Sequence, residues 1–261
     1  MKRHLEVAKA AAVKAGTILR ECISVSREVS YKGEINLVTE MDRISERIVV
    51  ATILEAFPDH GILAEEEAQI ENGSGFLWII DPLDGTTNYA HGYPSFSVSI
   101  GLEHSGDVIV GVVYDPMRNE LFSAARGQGA HLNGNPIAVS RNDVLIRSLL
   151  ATGFPYDRAV SRENNLDYFN ALIMAAQEIR RSGSASLDLC AVAAGRLDGY
   201  WELKLHPWDV AAGSLIVQEA GGTVSDFAGT LFSIRDKELV ASNGRIQGLM
   251  IDILNAVRRK A

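Results

Sequence analysis

Leu5, Ala8, Ala12, Ala15, Leu19 and Cys22 recur at every third or fourth position, so the first apolar stripe predicts one long helix over about residues 3–26. Its alanines suit close packing against another helix. A polar, irregular stretch (24–30) separates it from a second stripe, Ile44, Ile48, Val49, Ile53 and Phe57, which predicts a helix starting at Thr39. Thr39-x-x-Asp42 has the form of a capping box at that start, which by itself accounts for Asp42. The pattern then shortens. Ile62-Leu63-Ala64 reads as a strand, and residues 68–75 as a polar loop. Residues 76–80 are uninterruptedly apolar, as in a strand buried on both faces. Pro82 cannot donate to a ladder and is expected to end that strand.

Runs at 97–103, 108–114 and 120–124, joined by turn signals such as Ser105-Gly106-Asp107, predict an antiparallel meander. Asn133-Gly134 predicts a hairpin between residues 131–132 and 137–139. From about residue 141 strands and helices alternate: strand 147–152, a Gly/Pro/Tyr/Asp-rich loop 153–158, helix 162–176, strand 178–181, helix 185–195, strand 200–203, helix 207–219, strand 238–241 and helix 246–258. Gly221-Gly222 ends the penultimate helix. These elements predict an α/β protein with an N-terminal part (1–140) of two long helices on a large antiparallel sheet and a C-terminal α/β part (141–261), together one compact unit.

A chain of 261 residues with 47% hydrophobic content supports a sizeable core. The net charge of −8 argues against nonspecific nucleic-acid binding. No apolar run approaches a membrane span, and no apolar leader follows Lys2 and Arg3. Cys22 and Cys190 make no disulfide framework and read as small buried side chains. A cytoplasmic location is expected. His91, His104 and His131 have no ligand spacing, and no Ser-His-Asp or Cys-His arrangement is present.

The chemistry concentrates where the apolar run 76–80 stops. Asp81 and Asp84 flank Pro82 and precede Gly85 and Thr86. Such a turn is either an ordinary Asx-capped surface turn or a pair of carboxylates around a cation. All-oxygen ligands suit Mg²⁺, and the backbone N–H groups of Gly85 and Thr86 suit a phosphate. Glu65 heads the acidic triplet Glu65-Glu66-Glu67, whose other members read as a solvated edge. Ser182 and Ser184 fit helix caps. Glu202 points away from its neighbours Trp201 and Leu203, and Asp209 has an ordinary electrostatic role at a helix N-terminus.

The full string Asp81-Pro82-Leu83-Asp84-Gly85-Thr86-Thr87-Asn88-Tyr89 resembles the signature of the inositol monophosphatase family, Mg²⁺-dependent and lithium-sensitive phosphatases. Trp208-Asp209-Val210-Ala211-Ala212-Gly213, followed by Glu219-Ala220-Gly221-Gly222, resembles its second signature. The resemblance covers essentially the whole chain and is nearest to bacterial-type members. It implies an α-β-α-β-α sugar-phosphatase-like sandwich and two to three Mg²⁺ per site. It implies one ion on Glu65, Asp81 and the Leu83 carbonyl, a second on Asp81, Asp84 and Asp209, and a weaker third near Glu65. A one-residue slip would put Glu66 in place of Glu65. Asp42 would orient Thr86, which with Glu65 positions the attacking water, without a phosphoenzyme. Whether Thr86 or a metal-bound hydroxide is the base stays open. Asp84, Gly85, Thr86, Gly183, Ser184, Ala185, Glu202 and Asp209 would contact the substrate, Glu202 through ring hydroxyls. Lys32 would lie on a loop that closes over the site. A homodimer is expected. The alternatives are a related phosphatase (fructose-1,6-bisphosphatase, histidinol phosphatase or 3′-phosphoadenosine nucleotidase) and a relative that also binds the transcription machinery.

Overall fold

The computed structural model describes residues 1–23, 29–31 and 37–259. The expected Lys32 loop and the Thr39 side chain of the expected capping box lie outside the described residues. The alanine stripe forms α1 (Lys2–Cys22), with Ala8, Ala11, Ala12 and Ala15 buried. The short strands β1 (Val29–Tyr31) and β2 (Leu37–Thr39) pair antiparallel before α2 (Glu40–Ala56).

An eight-stranded sheet follows. It comprises β3 (Gly61–Ala64), β4 (Gln69–Ile70), β5 (Phe76–Asp84), β6 (Ser97–His104), β7 (Asp107–Asp115), β8 (Glu120–Ala125), β9 (Ala130–Leu132) and β10 (Asn135–Pro136). Strands β5 to β10 form the expected meander, whereas β3 runs parallel to β5. Ser105 and Gly106 both take positive φ in the β6–β7 turn, as do Asn133 and Gly134 in the last hairpin. Three expectations fail here. Residues 68–75 are not all loop, because β4 pairs with β3. The second arm of the last hairpin is residues 135–136 rather than 137–139, because the two-residue turn puts Asn135 opposite Leu132. And β5 continues through Pro82.

The second sheet has five strands in the order β12-β11-β13-β15-β14: β11 (Leu149–Thr152), β12 (Glu178–Arg180), β13 (Gly199–Leu203), β14 (Thr223–Ser225) and β15 (Glu238–Ser242). Its helices are α4 (Leu166–Ile173), α5 (Ala185–Ala193), α6 (Pro207–Glu219) and α7 (Gln247–Arg258), while α3 (Thr86–Ala90) follows β5. Relative to the sequence expectation, α4 is shorter, β14 is additional, and a 3-10 turn at Leu145–Arg147 delays β11.

Side-chain alternation distributes the core into three apolar clusters. Trp78 and Ile80 of β5 pack with α1 and α2, and Ile79 packs on the opposite face with α5 and α6. Likewise Tyr200 of β13 faces α5 and α6, whereas Trp201 faces α4 and α7. The layers therefore run helix, sheet, helix, sheet, helix. The middle layer lies close to the first sheet. A Cβ on Gly101 would stand 2.8 Å from the Cβ of Ala211, and one on Gly111 would stand 2.7 Å from the Ala212 carbonyl oxygen. Cys190 is buried in the middle layer and Cys22 is half-buried. No helix among the described residues is long and apolar enough to cross a membrane.

Candidate active site

A cavity of roughly 500 Å³ opens where the end of β5, the loop after β11, the end of β13 and the starts of α5 and α6 meet. Glu65, Asp81, Leu83, Asp84, Gly85, Thr86, Gly183, Ser184, Ala185, Glu202 and Asp209 all line it. Asp42 does not. It is buried behind Thr86, whose Oγ1 lies 3.1 Å from Asp42 Oδ1 and 3.0 Å from the Leu83 carbonyl oxygen.

The path of β5 explains how both signature acids reach this cavity. Asp81 pairs with Ser99 and Asp84 with Ser97, so Pro82 and Leu83 stand opposite one residue. This is a β-bulge. In a regular strand, residues three apart face opposite sides of the sheet. The extra residue restores the phase, and both acids line one cavity. The bulge also gives Pro82 an unpaired slot, so its missing N–H costs no ladder bond. Two bonds hold the bulge: Leu83 N–H donates to Asp81 Oδ1 at 3.0 Å, and Ser45 Oγ donates to the Pro82 carbonyl at 2.6 Å. Gly85 follows at φ +97°, where a Cβ would meet the Ser95 carbonyl oxygen at 2.9 Å, so only glycine fits the turn into α3.

Helix α2 supports the site with three buried polar residues. Asp42, Ser45 and Glu46 occupy one face (i, i+3, i+4). Asp42 meets Thr86, and Ser45 holds the bulge. Glu46 accepts from the backbone N–H groups of Glu66, Glu67 and Ala68 at 2.9, 2.9 and 2.8 Å. Those bonds fix the turn after Glu65. Glu65 lines the cavity, whereas the Glu67 side chain pairs with Arg43. Sequence patterning missed Ser45 and Glu46. Their signal is the placement of polar residues on the apolar stripe of α2.

Burial first, then repulsion from Glu65, Asp84 and Asp209, pushes the Asp81 carboxyl well above the usual carboxylate range. Burial followed by Glu65 raises Asp209 well above it too. Asp84 is raised by burial, against hydrogen bonds from Ser184 Oγ, Ser186 Oγ and Ser186 N–H to its Oδ2 at 2.6, 2.6 and 2.8 Å. Asp209 Oδ2 accepts from His206 N–H at 2.6 Å within a capping box at the start of α6. The remaining oxygens of Asp81 and Asp209 accept no protein hydrogen bond among the described residues. The donor set is oxygen-only and acidic, the chemistry of a hard divalent cation site. As the side chains stand, no three His, Cys, Asp or Glu among the described residues are drawn together tightly enough to close a shell.

The far wall of the cavity is differently built. Ser184 is the N-cap of α5, accepting from Leu187 N–H, while its hydroxyl donates to Asp84. Ser182 is not a cap. Its Oγ donates to Asp188 Oδ1 at 2.7 Å, and burial raises Asp188 well above the usual range. Glu202 is not on a solvent face, because it lines the cavity, where burial pushes its carboxyl up to about 7. Asn88 Nδ2 donates to the carbonyls of Ser95 and Ser182 at 2.7 and 2.8 Å, tying the two walls together. Asp188 and Arg181 also line the cavity and escaped the sequence reading, although an acid inside the apolar run Leu187–Cys190 marks Asp188 out.

The model of the inositol monophosphatase family matches residues 1–259. An inositol-1-monophosphatase of Synechocystis is 48% identical over 248 residues, covering 94% of this chain and 86% of its own. The Nus factor SuhB of Pseudomonas aeruginosa is 45% identical over 250 residues, covering 93% of this chain and 92% of its own. The solved structure of an inositol monophosphatase from Anabaena (Nostoc) sp. PCC 7120 superimposes with a TM-score of 0.90 at 45% identity, covering 98% of this chain and 96% of that one.

Proposed function

The chain belongs to the inositol monophosphatase family, and we propose that it hydrolyses a myo-inositol monophosphate to inositol and inorganic phosphate. One observation carries this: a single cavity has the acids Glu65, Asp81, Asp84 and Asp209 on one wall and the half-buried carboxyl of Glu202 on the other. The first wall suits a phosphate with its counter-ions, the second a polyhydroxylated alcohol.

Metal dependence goes with the family, and the oxygen-only donors fit Mg²⁺. Glu65, Asp81, the Leu83 carbonyl, Asp84 and Asp209 would hold two to three ions. When bound, such ions stabilise charge on phosphoryl oxygens and acidify a water. The chain's own groups do the rest. Thr86 Oγ1 faces two acceptors, Asp42 Oδ1 and the Leu83 carbonyl, so its single proton is engaged and a lone pair is left for water. Thr86 therefore orients the attacking water by accepting from it. The backbone N–H groups of Gly85 and Thr86 receive the phosphate, and the glycine allows the close approach. Gly183, Ser184, Ala185 and Glu202 hold the inositol ring, and water attacks phosphorus directly, without a phosphoenzyme. A cytoplasmic homodimer is part of the same proposal.

The test is phosphate release from inositol 1-phosphate, fructose 1,6-bisphosphate and adenosine 3′,5′-bisphosphate, each with Mg²⁺, with and without Li⁺. A Li⁺-sensitive preference for the inositol ester is expected. Preference for another ester would keep the mechanism and move the substrate. A second reading comes from the relative named Nus factor SuhB, which favours an added role with the transcription machinery. Its test is retention of this protein on immobilised RNA polymerase, and no retention removes it.

A further inference from the structure

Tyr200 is wholly buried, yet its hydroxyl reaches only one partner among the described residues, Glu202 Oε2. The two residues alternate with Trp201 along β13, so both face the middle layer while Trp201 faces away. A buried phenol needs a hydrogen-bond partner, and a carboxylate is the strongest available. The bond uses Oε2 and leaves Oε1, at the cavity wall, without a donor among the described residues. Opposite, Gly153 leaves the space that the carboxylate fills. A Cβ there would stand 2.0 and 2.1 Å from the two Glu202 oxygens. The carboxylate is thus fixed from two sides by groups that themselves have no part in the phosphate chemistry.

We propose that Tyr200 is a positioning residue that aims Glu202 Oε1 at the hydroxyls of the alcohol moiety, and that with Gly153 it sets the preference for polyhydroxylated esters. This rests on the functional reading above and extends it from Glu202 to the residues that hold it. A carboxylate locked by one oxygen offers the other in one direction, which suits a rigid ring bearing adjacent hydroxyls. An ester without such hydroxyls gains nothing from that aim. Removing the phenol hydroxyl frees the carboxylate to turn, and a methyl at Gly153 displaces it.

The experiment compares inositol 1-phosphate with p-nitrophenyl phosphate in the wild type, Tyr200→Phe and Gly153→Ala, each checked for folding by its thermal transition. For Tyr200→Phe the expected result is a KM for the inositol ester raised about ten-fold, the scale of one charged hydrogen bond, with kcat within about two-fold on the same scale. Gly153→Ala should move KM in the same direction. Parameters for the nitrophenyl ester should stay put in both. In a Glu202→Ala background, Tyr200→Phe should add nothing. Equal losses on both esters, no change on either, or an undiminished effect in the Glu202→Ala background would overturn the proposal. A wild type that does not hydrolyse the inositol ester would instead overturn the functional reading, so the two failures are separable.

Discussion

Thr86 Oγ1 and Asp42 Oδ1 lie 3.1 Å apart across 44 positions of sequence, one at the start of a five-residue helix and the other in the first turn of α2. The contact ties the Thr86 hydroxyl at the cavity to the packing of a helix outside it. Thr86→Ala should lower kcat by about two orders of magnitude, the range of a lost proton-handling group. Magnesium affinity should be nearly intact, because the carboxylates are untouched. Asp42→Ala should lower kcat less. Steady-state kinetics with a Mg²⁺ titration decide. A collapse of metal affinity at normal kcat would contradict the role given to Thr86.

Glu46 receives three successive backbone N–H groups, those of Glu66, Glu67 and Ala68. Glu46→Ala should cost about 3 kcal/mol, since three hydrogen bonds to a charged acceptor in a part-buried turn are lost. Urea unfolding measures that loss. Turnover should fall as well, because the same turn carries Glu65. Glu46→Gln, which keeps one acceptor oxygen, should recover part of both.

Folded-state pKa values of Asp81, Asp84 and Asp209 lie above their unfolded values, through burial first and then, for Asp81 and Asp209, the neighbouring acids. The folded protein therefore holds protons that the unfolded chain has released. This contribution is complete below the ordinary carboxylate range and is lost as pH rises through the raised values. In EDTA, the thermal midpoint should fall as pH rises above that range. Saturating Mg²⁺ should flatten the fall, because it replaces the protons, and its binding should release them. A midpoint independent of pH in EDTA would contradict the electrostatic picture. Asp81→Asn should lessen the fall while abolishing turnover.

His4 behaves in the opposite sense. Its ring stacks on Phe57, Phe76 and His60 with centroids 4.5, 5.3 and 5.4 Å apart. Burial, then the charges of the amino terminus, His60, Arg3 and His104, lowers its pKa to about 4. The unfolded chain thus binds the proton first, and stability is lost as pH falls from about 6.5 toward 4. His4→Phe should lose less than the wild type over that window. The pH dependence of the difference in thermal midpoint between the two isolates the effect from the cavity acids.

Much of this arrangement is legible in the chain. The alanine stripe of α1 and the Asn133-Gly134 turn carry their periods and turn chemistry in plain view, and eleven of the twelve residues expected at the site line one cavity. What escapes has specific causes. Pro82 bars a ladder bond, but a bulge needs none, so the strand runs on. Thr223–Ser225 is a strand because β15 is beside it, and three residues carry no period of their own. Ser45 and Glu46 interrupt an apolar stripe, and patterning discards as noise what the fold uses as support. Tyr200 reads as one more strand aromatic until its hydroxyl is seen to meet Glu202.

The two glycines beneath α6 have a bearing on chemistry well away from them. Gly101 pairs with Ile79, two residues before Asp81, and Ala211, which rests on Gly101, is two residues after Asp209. The sheet's carboxylates and the helix's carboxylate are thus joined by a spacer whose length is set by a missing methyl group. A side chain at Gly101 would act as a shim, lifting α6 and carrying Asp209 away from Asp81 without altering any acid. The calibre of the acid cluster is gauged among buried residues that do not line the cavity at all.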